Sequence, residues 1–302
     1  MTSCSMEKFR TFLFFTFVAS ISIMIFHCSE NSIVDMEIKV RGKEILVDDT
    51  YYNVQPFWHP DNNHIFYVAL AAKDQPYGSL KQVNVDGTTQ EDIIDLNMPV
   101  KFPDVSSDGE KIIACINPNS TESLVIYNLK NRDKMIISND FQNLRMPRWS
   151  HDGKSIAFIR DDAFAVMNVS DKKIKYYDLP VKVHSFSWGA RDDQVILSGE
   201  RENAFVLFEY NLTNSQISLL FNEEIAGIYP SMSLVKGEPF ATLGMPVAYQ
   251  FQNNIMSIAN HKDPVLIATD AETPDWSFDG IKISYSRDGK IIIEEIFVPI
   301  DG

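Results

Sequence analysis

Six stretches of this chain open with one short signature at nearly constant spacing, and that periodicity limits the fold more than any other feature. They are Pro56-Phe57-Trp58-His59-Pro60-Asp61, Pro103 to Gly109, Pro147-Arg148-Trp149-Ser150-His151-Asp152-Gly153, Phe186-Ser187-Trp188, Pro230 to Gly237, and Pro274-Asp275-Trp276-Ser277-Phe278-Asp279-Gly280. With the first residue of each as anchor, the intervals are 47, 44, 39, 44 and 44 residues. An alternating apolar run follows each signature, and a period of this length holds one four-stranded sheet. Such a sheet cannot bury its faces alone, so the repeats must stack. The expectation is an all-β fold, a six-bladed β-propeller of four-stranded blades.

The third repeat is the easiest to divide. Pro147 to Ser150 starts an inner strand, and His151-Asp152-Gly153-Lys154 supplies a tight hairpin whose Asp-Gly tolerates a positive φ. Ser155 to Ile159, Ala163 to Val169 and Ile174 to Leu179 read as the other strands by alternation. Asp108, Asp152 and Asp279 occupy the same turn and are read as turn geometry. Trp58, Trp149, Trp188 and Trp276 are structural repeat residues, each offering a large apolar face to the next blade. In the fifth repeat Pro239 to Leu243 is the run that follows the signature, and Gly244 to His261 reads equally as a long loop or a third strand. The last repeat supplies strands only as far as Val298, whereas Met36 to Asp48 is surplus before the first. That N-terminal segment is expected to complete the sixth blade, because an unpaired apolar edge invites aggregation.

Residues 1–27 read as an export signal. Lys8 and Arg10 precede Phe12 to Phe26, fifteen residues without a charge, shorter than the roughly 20 that span a bilayer. Cys28 follows at once, and this layout resembles the bacterial lipoprotein signal, in which that Cys is acylated, although Phe26 and His27 stand where small residues are usual. A simple export signal or an uncleaved anchor beside a chance Cys is the other reading. Residues 28–35 would then be a tether and 36–302 the propeller. Cys115, in the apolar run Ile-Ile-Ala-Cys-Ile, is read as a small buried hydrophobe. With 27 Lys and Arg against 41 Asp and Glu, the net charge of −14 repels phosphate backbones, so nucleic acid is not an expected partner.

The pattern Pro-x-Trp-Ser-x-Asp-Gly-Lys-x-Ile-x-Phe, clearest from Pro147 to Phe158 and from Pro274 to Tyr285, resembles the propeller repeat of TolB and of the N-terminal propellers of prolyl oligopeptidase and dipeptidyl peptidase. The resemblance covers nearly the whole exported chain and implies the fold; that family includes scaffolds, peptidase gates and polysaccharide lyases. The chain carries no Gly-x-Ser-x-Gly elbow, His-Glu-x-x-His or phosphate loop. No catalytic residue, metal ligand or cofactor is assigned, and His59 and His151 are read as solvated turn residues. On the side of the inner strands opposite the Pro and Trp positions lie Phe57, Asp104, Arg148, Ser187, Ser231 and Asp275, of which Asp104, Arg148 and Asp275 are candidate channel or ligand contacts. The expected role is a TolB-like binding or scaffolding module of the bacterial cell envelope, lipid-anchored at the membrane and facing the periplasm or cell surface, with an envelope protein or glycan as partner. The alternative is a lyase or hydrolase acting on polysaccharide at the channel mouth. Acylation is directly testable: a fatty-acid analogue fed to cells should label the wild type and leave Cys28→Ala unlabelled, and equal labelling of the two, or of neither, contradicts it.

Overall fold

The computed structural model describes residues 39–93, 99–117, 122–141, 143–222, 224–233, 245–259 and 263–297. The export segment, Cys28, the tether and residues 234–244 lie outside the described residues. Six four-stranded antiparallel sheets follow one another around a ring, and the fold is a six-bladed β-propeller. Blade 1 contains Tyr52–Trp58, His64–Leu70, Ser79–Asn84 and Gln90–Asp92. Blade 2 contains Val100–Val105, Lys111–Ile116, Glu122–Asn128 and Lys134–Phe141; blade 3 contains Leu144–Trp149, Ser155–Arg160, Ala163–Asn168 and Ile174–Tyr177. Blade 4 is built from Val183–Trp188, Gln194–Arg201, Ala204–Asn211 and Ile217–Leu219, and blade 5 from Ile228–Met232, Val247–Phe251, Asn254–Ile258 and Val265–Thr269. Blade 6 takes Glu272–Trp276, Lys282–Arg287 and Lys290–Phe297 from the end of the chain and its outer strand, Lys39–Val47, from the beginning. Lys39 pairs with Phe297 and Val47 with Ile291, so the edge of the last strand is covered by the N-terminal segment, as expected. Among the described residues no helix is long and apolar enough to cross a membrane.

Each first strand lies innermost and carries one extra residue. In blade 2, Lys101 faces Cys115 and Asp104 faces Ile113, three steps on the inner strand against two on its partner. The same shift separates Val54 from Phe57, Arg145 from Arg148, Ile228 from Ser231 and Glu272 from Asp275. At the bulge the residue before each proline adopts a positive φ: Gln55 at 54°, Phe102 at 51°, Met146 at 49°, Tyr229 at 51° and Thr273 at 53°. Proline suits the next position because it has no N–H for the interrupted ladder to strand. Blade 4 has Phe186 in place of proline and makes its shift between Val183 and Ser185.

Two boundaries differ from the sequence reading. The inner strand of blade 3 begins at Leu144 rather than Pro147, because pairing resumes upstream of the bulge. In blade 5 the second strand is Val247–Phe251 and Asn254–Ile258 is the third, while the run from Pro239 lies outside the described residues. The inner hairpins are also longer than two-residue turns. Ser150 N–H bonds Ser155 O, Gly153 N–H bonds Ser150 O, and Gly153 has φ 69°, a four-residue connection closed by a left-handed glycine.

The core lies in the seams between blades. Trp58 packs with Ile65, Tyr67, Ile291 and Ile293 between blades 1 and 6, and Trp149 with Ile113, Leu124 and Phe158 between blades 2 and 3. Trp188 fills the seam between blades 3 and 4 with Phe164, and Trp276 that between blades 5 and 6 with Ile255 and Tyr285. All four indoles are at most 5% exposed, and truncating one to Ala should cost about 3 to 5 kcal/mol. Cys115 is a buried free thiol in this core, as the sequence implied.

Candidate functional site

The inner strands of all six blades line one cavity of about 140 Å³ on the ring axis, with Phe57, Asp104, Arg148, Ser187, Ser231 and Asp275 in its wall. The bulge is what aims them there. Asp104, Arg148 and Asp275, singled out from sequence, do come together. Arg148 Nη1 lies 3.9 Å from Asp104 Oδ1 and donates to Pro103 O at 3.0 Å.

Both carboxylates spend an oxygen on the backbone of the following blade. Trp149 N–H donates to Asp104 Oδ2 at 2.7 Å and Trp58 N–H to Asp275 Oδ2 at 3.0 Å. Ser231 makes the equivalent contact: its Oγ accepts Trp276 N–H at 3.1 Å and its hydroxyl donates to Asp275 Oδ1 at 3.1 Å. The remaining seams use other side chains. Phe102 N–H donates to Gln55 Oε1 and Tyr229 N–H to Ser185 Oγ, each at 2.8 Å, while Trp188 Nε1–H reaches Arg148 O at 3.3 Å. Each of the six seams is thus crossed by a side chain bonded to a neighbouring inner strand. This role of Gln55 and Ser185 has no sequence signal, since any polar side chain at or beside a bulge looks alike.

Desolvation in the channel wall pushes Asp104 up to about 7; Arg148 and the Trp149 N–H oppose it, and the Asp275 charge reinforces it. Burial likewise raises Asp275 to about 6 against the pull of the Trp58 N–H, Arg148 and Ser231. One guanidinium therefore serves two acids that resist ionising together. Near neutral pH such a wall can hold a proton, a few waters or one small polar group. Its volume falls short of the roughly 300 Å³ at which ligand pockets usually begin.

The turn acids are bonded within their own hairpins. Ser106, Ser150 and Ser277 donate to Asp108, Asp152 and Asp279 within their own hairpins. Burial works against Asp108 and Asp152, but Ser and turn N–H bonds, with Lys111 or Lys154, more than offset it and hold both below the usual carboxylate range. The histidines depart from the solvated reading. His59 Nε2 donates to Gly109 O at 3.2 Å and His151 Nε2 to Gly189 O at 2.8 Å, each joining a hairpin to that of the next blade.

No protein-family model matches the sequence, and no curated protein does. Solved propellers share the fold. An Agrobacterium tumefaciens protein assigned as TolB superposes with a TM-score of 0.62 at 11% identity, covering 88% of this chain and 99% of that one. TolB from Acinetobacter baumannii gives 0.56 at 16%, over 83% of this chain and 56% of its own length. An oligogalacturonate lyase in complex with manganese gives 0.58 at 12%, over 84% and 79%.

A pH dependence follows from the two channel acids. Their folded-state pKa values lie above those of the unfolded chain, so their protonation stabilises the fold at low pH, and that contribution is lost as pH rises through about 6 to 7. The melting temperature should rise by about 5 °C from pH 8 to pH 5, then fall below about pH 4 as the turn acids protonate. Asp104→Asn keeps an acceptor for Trp149 N–H while removing the charge, and it should lose at least half of the rise in thermal melts. A wild type with a flat profile from pH 5 to 8 contradicts this assignment.

Proposed function

We propose that this chain is an exported cell-envelope propeller, anchored through an acylated Cys28, that serves as a binding or scaffolding module. The observation that carries this reading is the engagement of Asp104 and Asp275 with Trp149 N and Trp58 N. An acid that holds a blade in place cannot move far to work on a substrate, and two of them form the charged part of the channel with Arg148. The propeller likeness to TolB proteins supports the same role. On this account the partner is an envelope protein or glycan met by the loops around the channel mouth, such as the hairpin carrying Arg191, whose side chain is 61% exposed. The likeness to an oligogalacturonate lyase supplies the rival, a polysaccharide lyase working in the channel.

Photo-crosslinking in intact cells separates them. A crosslinker replacing Arg191 should give one discrete adduct, and the same group replacing Ile136, exposed on an outer strand, should give none. Turnover of an acidic oligosaccharide that is abolished by Arg148→Ala would overturn the proposal.

A further inference from the structure

The inner hairpins of blades 2, 3 and 6 share one chemistry. The Ser106, Ser150 and Ser277 hydroxyls bond Asp108, Asp152 and Asp279 at 2.5, 2.8 and 2.6 Å. Each Ser Oγ also accepts the N–H of the residue that begins the next strand, Lys111, Ser155 or Lys282, at 2.9 Å. Blade 1 keeps the turn, with Asp61 in the Asp place and Asn62 at φ 56° in the glycine place. It differs at the two flanking positions, where His59 replaces the Ser and His64 stands at the strand start. The three sister hairpins make this turn with no imidazole at either of these two positions, so the turn itself does not call for a pair of them there.

The two rings converge on Asp61. His64 Nδ1 lies 2.6 Å from Asp61 Oδ2 and His59 Nδ1 lies 3.0 Å from Asp61 Oδ1; one donor atom from each residue falls within 4.8 Å of the other two. Asn63 N–H at 2.8 Å and His64 N–H at 3.2 Å fix the carboxylate from behind. His59 Nε2 faces Gly109 O, and because a carbonyl only accepts, the neutral ring carries its proton there. Its Nδ1 lone pair then accepts the Asp61 N–H at 3.2 Å while standing 3.0 Å from Asp61 Oδ1, and a cation between ring and carboxylate would take that lone pair and relieve the repulsion. A distal N–H held by a backbone carbonyl is also how metal-binding imidazoles are commonly oriented. The three side chains are 21 to 34% exposed, which leaves a route for an ion and for water.

We propose that His59, Asp61 and His64 form a binding site for a divalent transition-metal ion of the zinc type, with the remaining coordination position open to solvent. Zinc bonds of about 2.0 to 2.1 Å in a tetrahedron place neighbouring donor atoms about 3.3 Å apart, so small ring movements suffice. Two nitrogens and one carboxylate suit zinc and disfavour calcium or magnesium, which take oxygen donors. Because His59 is tied to Gly109 of blade 2, the ion would also brace the first seam. This site is independent of the binding role proposed above.

Calorimetric titration of the untagged, chelator-stripped full chain with zinc chloride tests it. One saturable equivalent is expected, and His59→Ala, Asp61→Ala and His64→Ala should each weaken it tenfold or more. Gly109→Ala touches none of the three donors: a Cβ there would stand 2.6 Å from His59 Nε2 and displace the ring, besides straining a turn residue at φ 72°, and a loss of about tenfold is expected. The pair His59→Ser with His64→Lys installs the sister hairpin chemistry; it should fold like the wild type, by circular dichroism, and bind no zinc. His151→Ala should leave the affinity unchanged. Absence of saturable binding, binding that survives the double substitution, or equal saturation by calcium overturns the proposal.

Discussion

Six sheets joined among the described residues by no more than isolated backbone bridges, such as Gly78 to Val100, become one ring because a side chain from one inner strand bonds the next inner strand at every seam. Apolar packing brings the blades together, but it is nondirectional and sets neither the height nor the rotation of one sheet against its neighbour. A carboxylate or hydroxyl oxygen meeting the N–H of a Trp position fixes both. Such a bond contributes about 0.5 to 1.5 kcal/mol net, and leaving the buried N–H unmet would cost about 1 to 3 kcal/mol. Asp104, Ser231 and Asp275 therefore serve the architecture first, and the wall they form around the axis follows from that duty.

The bulge makes those bonds geometrically available. One extra residue in each inner strand re-aims the side chain after the proline from the blade toward the axis and the neighbouring strand. Five non-glycine residues with positive φ are the local cost, about 1 to 3 kcal/mol for a strained backbone of this kind. The seams on either side, filled by indoles and branched aliphatics, over-determine that conformation. The channel acids then sit where water is scarce, which is why their pKa values rise while those of the turn acids, served by local N–H groups, fall.

What the sequence makes legible is what repeats locally. The Pro and Trp anchors, the Asp-Gly hairpins and the surplus strand before the first anchor lead to six blades closed by Lys39–Val47, because each signal lies within a few residues or recurs once per period. The convergence of Asp104, Arg148 and Asp275 also follows from period and alternation. Their role does not, since the partner of Asp104 is a backbone N–H 45 residues away, and a backbone donor leaves no mark on composition. Blade 5 misleads because residues 239–243 alternate in sequence as well as Val247–Phe251, the segment that pairs with the inner strand. His59 and His64 look scattered until the register of the hairpins shows that they occupy Ser and Lys positions around a shared turn aspartate.

The central claim is that inner-strand bonds across the seams make the ring a single cooperative unit. Residue-resolved native-state hydrogen exchange tests it most directly. The amides of Trp58, Trp149 and Trp276, in three different seams, should exchange only through global unfolding and report one common free energy, far above that of the exposed turn amide of Asn131. Trp amides that exchange through local opening, or at free energies differing from seam to seam by several kcal/mol, would contradict it.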